Sequence, residues 1–122
     1  MTHTTEQHLR PKTIDWRGSS LDDLKQLPLT LRALAGRELR KVQFGEDPAD
    51  FKVIADWGAG VVEIRLNDEH HSGRVVYVAK FAERLYVLHS FIKKSQKTRN
   101  EDVVIIKTRY REVIAERTRS KV

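Results

Sequence analysis

Between Val61 and Phe91 the chain holds three apolar, β-branched and aromatic runs of strand length separated by short polar breaks, the first with a period of two. In Val61-Val62-Glu63-Ile64-Arg65-Leu66, alternation puts Val62, Ile64 and Leu66 on one face and Glu63 and Arg65 on the other. Arg74-Val75-Val76-Tyr77-Val78-Ala79 and Leu85-Tyr86-Val87-Leu88-His89-Ser90-Phe91 read as two further strands. Strands this close in sequence pair as an antiparallel meander. A sheet with an apolar face needs a cover, and that requirement limits what the rest of the chain can do.

The flanking segments have the period of helices. Ser19-Ser20 can cap the sequence Leu21-Asp22-Asp23-Leu24, whose acids suit a helix N-terminus, and a short helix over about 20–26 follows. Pro28 fits the first turn of a second helix, with Leu31, Leu34, Ala35, Leu39 and Val42 at helical spacing until Gly45 stops it. Lys12 to Trp16 reads as a short strand. Asn100 can cap a last helix with the apolar stripe Val103, Ile106, Tyr110, Val113 and Ile114. Residues 1–11 read as a loose tail and 12–119 as one domain. The order predicts an α+β fold, a mainly antiparallel sheet with two N-terminal helices and a C-terminal helix on one face. The other face, carrying Glu63 and Arg65, is then expected to be free for function.

At 122 residues the chain is long enough for one core without staples. It has no cysteine, which excludes disulfides, a thiolate nucleophile and cysteine-ligated zinc, and suggests a reducing, cytoplasmic setting. Met1 to Thr13 is polar, and no segment approaches the roughly 18 apolar residues of a membrane span. The charge is uneven. Residues 1–62 hold nine Lys/Arg and nine Asp/Glu, whereas residues 63–122 hold fourteen against eight, so the whole +6 lies in the second half. From Arg84 to Asn100 there are five basic residues and no acid. Such a field draws polyanions and releases their counterions, although a solvated basic surface would have the same composition.

Few chemical motifs stand out. The adjacent pair His70-His71 lacks a third ligand at useful spacing, so no metal site is expected. No Gly-rich phosphate loop and no Ser-His-Asp arrangement is present, and no cofactor is expected. Tyr77, Tyr86 and Phe91 could stack on bases, but core packing accounts for such residues on strands equally well.

The runs Val62-Glu63-Ile64-Arg65-Leu66-Asn67-Asp68, Gly73-Arg74-Val75-Val76-Tyr77 and Val87-Leu88-His89-Ser90-Phe91-Ile92-Lys93-Lys94-Ser95-Gln96-Lys97-Thr98 together resemble the RelE/ParE toxin superfamily. They are most similar to its phage-derived HigB-like branch, over about Lys12 to Arg111. The resemblance implies a RelE-like fold and a type II toxin that cuts mRNA in the ribosome without metal. It also implies a cognate antitoxin, commonly of the helix-turn-helix type.

Metal-free RNA cleavage needs a base for the 2′-hydroxyl, positive charge at the phosphorus and an acid for the leaving oxygen. The resemblance points to Arg65 and Arg74 for charge stabilisation, and a guanidinium can donate two bonds to one phosphate. It places Lys93 and Lys94 at the scissile phosphate, where crowded like charges ease proton loss from one of them. Lys97, Arg99 and Lys80 are candidates for gripping the RNA backbone. His89 could exchange a proton, but alternation groups it with Leu85, Val87 and Phe91, which fits a half-buried, hydrogen-bonded histidine as well. Glu63 is another possible base, at a position where many relatives carry a basic residue. Residues 95–109 lack the tyrosine some relatives use, so the proton donor stays open. Two other readings are a ParE-like poison of DNA gyrase without nuclease chemistry, and a degenerate, non-toxic nucleic-acid or antitoxin-binding module.

Overall fold

The computed structural model describes residues 10–120. Most of the expected tail, residues 1–9, lies outside the described residues. The elements run β1 (Thr13–Trp16), α1 (Ser20–Lys25), α2 (Leu29–Gln43), β2 (Phe51–Val53), a turn of 3-10 helix (Ala55–Trp57), β3 (Val61–Asn67), β4 (Ser72–Val78), β5 (Arg84–Ile92) and α3 (Asn100–Ser120). The five strands form one sheet in the order β1-β5-β4-β3-β2. β1 is parallel to β5 and every other pair is antiparallel. The α+β class and the mainly antiparallel sheet agree with the sequence.

The placement of the helices does not. Ile64, Leu66, Val75, Tyr77, Leu85 and Val87 pack under α1 and α2 with Leu24, Leu31, Ala35 and Leu39. On the opposite face, Val61, Val76, Val78, Tyr86 and Leu88 pack against Ile106 and Val113 of α3. The sheet is therefore sandwiched, and the expectation of one free face is corrected. The physical reason is that β4 and β5 are apolar at nearly every position, a pattern that calls for cover on both sides. Gly73 lets α2 come close, since a Cβ there would stand 3.0 Å from a Leu31 methyl.

β5 carries an irregularity with large consequences for the site. Val76 pairs with His89, yet Tyr77 pairs with Val87, so Leu88 is one residue too many. Such a bulge reverses the face on which subsequent side chains emerge. Leu85 and Val87 face α1 and α2, whereas His89 and Phe91 lie on the α3 side. Simple alternation had put all four together. The Leu88 carbonyl accepts a 2.8 Å hydrogen bond from Arg109 Nη1 of α3.

Candidate functional site

The meander brings the start of β4 beside the end of β5. Pairing continues one residue past the strand end, with the Lys93 amide donating to the Ser72 carbonyl at 2.8 Å. Lys93 and Lys94 thus leave the sheet next to Ser72 and close to Arg74, whose cross-strand partner is Phe91. Arg74, Lys93, Lys94, Ser72, Ser95 and Gln96 line an open hollow of about 480 Å³. A second hollow, of about 550 Å³, shares Ser72, Lys93 and Lys94 and continues to the β3–β4 loop at Asp68, His70 and His71. Together they form one trough across the end of the sheet.

Arg74 is nearly buried, with its Nη1 donating to the Gly73 carbonyl at 2.7 Å. Its Nε stands 3.8 Å from Glu63 Oε1, beyond hydrogen-bond reach. Burial pulls the Arg74 pKa down while Glu63 opposes the shift, and a guanidinium keeps its charge regardless. Arg65 pairs with Arg74 across β3 and β4 and has its Nε 3.9 Å from the same carboxylate. Glu63 was expected at an open surface. It is instead 3 % exposed, set behind the two arginines, with Oε2 lacking a partner. A carboxylate so enclosed is badly placed to take a proton from a substrate, but well placed to hold two cations near each other.

His89 stands apart from the trough. Its Nε2 meets Asp102 Oδ1 at 2.8 Å, and the ring stacks on Phe91 with centroids 5.0 Å apart. Arg99 donates its Nε to the other Asp102 oxygen at 3.1 Å. Burial pushes the His89 pKa down against the pull of Asp102. The pair is a buried tie between β5 and the first turn of α3. Arg99 is accordingly committed to Asp102 on one side, although its side chain remains 58 % exposed. Lys97 is exposed, and the hydroxyl of Ser95 donates to its carbonyl at 2.8 Å.

Lys80 is not brought to the other cations. It follows the far end of β4, where its Nζ lies 3.3 Å from the Tyr110 hydroxyl. The length of β4, about 3.3 Å per residue, separates it from Arg74. Among the described residues no group of three or more histidine, cysteine or acidic side chains could hold a metal ion.

The residues that the sequence did not single out for this site are Ser72, Gln96 and the Asp68–His71 loop. A usable signal existed: in an antiparallel meander, whatever follows β5 must meet whatever precedes β4. Asp68 Oδ1 accepts from the amides of His70 and His71 at 2.8 and 2.7 Å. The Thr30 hydroxyl at the start of α2 donates to Oδ2. That bond, followed by the two amides, holds the Asp68 carboxyl well below the usual range. His71 Nδ1 lies 3.2 Å from Oδ1 of the same carboxylate.

A family model described as Phage derived protein Gp49-like (DUF891) matches residues 22–111. No curated protein matches the chain. The matched span runs from α1 into α3 and contains the entire trough.

Proposed function

The chain belongs to the phage-derived Gp49-like family, and from that membership and the trough we propose that it is a toxin-like endoribonuclease. Its substrate would be mRNA on the ribosome, and a helix-turn-helix antitoxin would restrain it. The observation that carries this reading is the convergence of Arg74, Lys93 and Lys94 on one open hollow, with Arg65 alongside. Three fixed or semi-fixed cations within one concavity suit a phosphate whose charge grows during reaction. Arg74 is the most pre-organised of them, because its guanidinium is held by the Gly73 carbonyl and enclosed by the sheet. Lys93 and Lys94 sit on the rim and can adjust to the sugar-phosphate chain.

In the reaction this site suits, the ribose 2′-oxygen forms a bond to phosphorus and the bond from phosphorus to the 5′-oxygen breaks. The products are a 2′,3′-cyclic phosphate and a free 5′-hydroxyl. Arg74 and the lysine pair would stabilise the additional negative charge on the non-bridging oxygens.

Purified protein added to a translating extract should leave mRNA ends at fixed positions within codons. Arg74→Ala and Lys94→Ala should each reduce cutting by about a hundredfold or more. Uncut mRNA, with both variants as harmful to growing cells as the parent, would refute the reading. Intact translation with stalled replication and cleaved DNA would point to a gyrase poison instead.

A further inference from the structure

We infer that His71 is the general base of the trough and Asp68 the residue that positions it. The inference rests on the nuclease reading above and adds the proton acceptor that charged guanidinium and ammonium groups cannot supply.

Three observations carry it. First, the imidazole has a defined orientation. Its Nδ1 faces Asp68 Oδ1 at 3.2 Å and Oδ2 at 3.3 Å, and Asp68 is pinned by Thr30 from α2 and by two backbone amides. An ionised carboxylate at Nδ1 retains the ring proton there and leaves the Nε2 lone pair free. Second, the ring is reachable, since the His71 side chain is 43 % exposed, in contrast to the buried His89. Third, His71 lines the hollow that shares Lys93 and Lys94 with the Arg74 hollow, and it immediately precedes Ser72, to which the Lys93 amide is bonded.

His71 and Arg74 line adjoining hollows that share Ser72, Lys93 and Lys94, so a ribose-phosphate spanning the two would meet the base on one side and the cations on the other. The hydroxyl proton passes to His71 Nε2 as the oxygen bonds to phosphorus. The departing 5′-oxygen takes its proton from a lysine ammonium of the trough, so protons and charge balance. The charged or titratable groups facing His71 are Asp68, Glu69 and His70 from its own loop and Lys93 and Lys94 from the segment after β5. From α2 only the Thr30 hydroxyl reaches the dyad, through Asp68. Imidazole can take up a proton near neutral pH, which is what a base at this position needs.

The test compares parent, H71Q, H71A and D68N for cutting rate at saturating ribosome-bound mRNA, for mRNA affinity and for pH dependence. H71Q should cut about a hundredfold more slowly, within the usual range for losing a general base, with affinity changed by less than about twofold. Its rate should also lose the fall seen in the parent on the acid side. D68N should lose about tenfold and keep that acid limb, and added imidazole should partly restore H71A. H71Q cutting at the parent's rate with the parent's pH profile, while Arg74→Ala is inactive, would overturn the inference and leave the nuclease reading standing. A parent that cuts no mRNA would overturn both.

Discussion

Among the described residues two histidines stand against aspartates, and the two pairs have opposite surroundings. His89 and Asp102 are 6 % and 5 % exposed at the side chain, closed in by Phe91 and the first turn of α3. His71 and Asp68 stand on a loop, open to a hollow that two lysines share. The same donor and acceptor make a structural tie in one place and a reactive dyad in the other. What separates them is exposure to water, 6 % at the His89 side chain against 43 % at that of His71.

The largest expected difference is in stability. Asp102→Ala strips a buried acceptor from His89 and should cost about 2 kcal/mol, read as a lower urea midpoint. Asp68→Ala should lower the midpoint far less, because its released donors turn to solvent. Equal losses would erase the distinction. Next comes the pH dependence of folding. Burial holds the His89 pKa below its ordinary 6.5, so the unfolded chain takes up that proton first. The stability this site contributes is complete above about pH 6.5 and is lost as pH falls toward the lower folded value. His89→Gln should therefore show a flatter fall in unfolding midpoint between about pH 7 and about pH 5, the range around the ordinary imidazole value. Parallel curves for parent and variant would show that the tie is not buried.

Smaller effects test the reach of the open region. If Arg65, Arg74, Lys93 and Lys94 each meet a phosphate, binding of single-stranded RNA should fall with log salt at a slope near −3, from roughly 0.7 per contact. Arg65→Ala should flatten that slope by about 0.7. Lys80→Ala, at the far end of β4, should leave it unchanged. A slope altered by Lys80→Ala would extend the RNA path along the whole strand.

Much of this architecture was legible. The two-residue period located β3, apolar runs located β4 and β5, a serine cap with its acids located α1, and helical stripes located α2 and α3, all within a few residues. β2 escaped because Phe51-Lys52-Val53 is too short to show a period and lies on the sheet edge, where pairing with β3 alone sustains it. The second covered face escaped because an apolar stripe on a helix does not say which side of a sheet it will meet. For the site, the nearness of Arg65, Arg74 and Lys93 follows from meander geometry. The burial of Glu63 between two arginines does not, since alternation distinguishes faces and not depth. The Asp68–His71 contact depends on a loop conformation fixed by Thr30, 38 positions away, which no local pattern encodes.

The supernumerary residue in β5 has one more consequence. Because Leu88 occupies the strand without a cross-strand partner, the ribbon exchanges inside for outside halfway along. Deleting it would join Val87 directly to His89 in an unbroken ladder, with Tyr77 still opposite Val87 and Val76 still opposite His89, so every later side chain of β5 would keep its side. What would vanish is the Leu88 carbonyl that receives Arg109 and the Leu88 side chain that packs beneath α3. A one-codon deletion would thus take one rivet from the last helix and leave the cations of the trough in register.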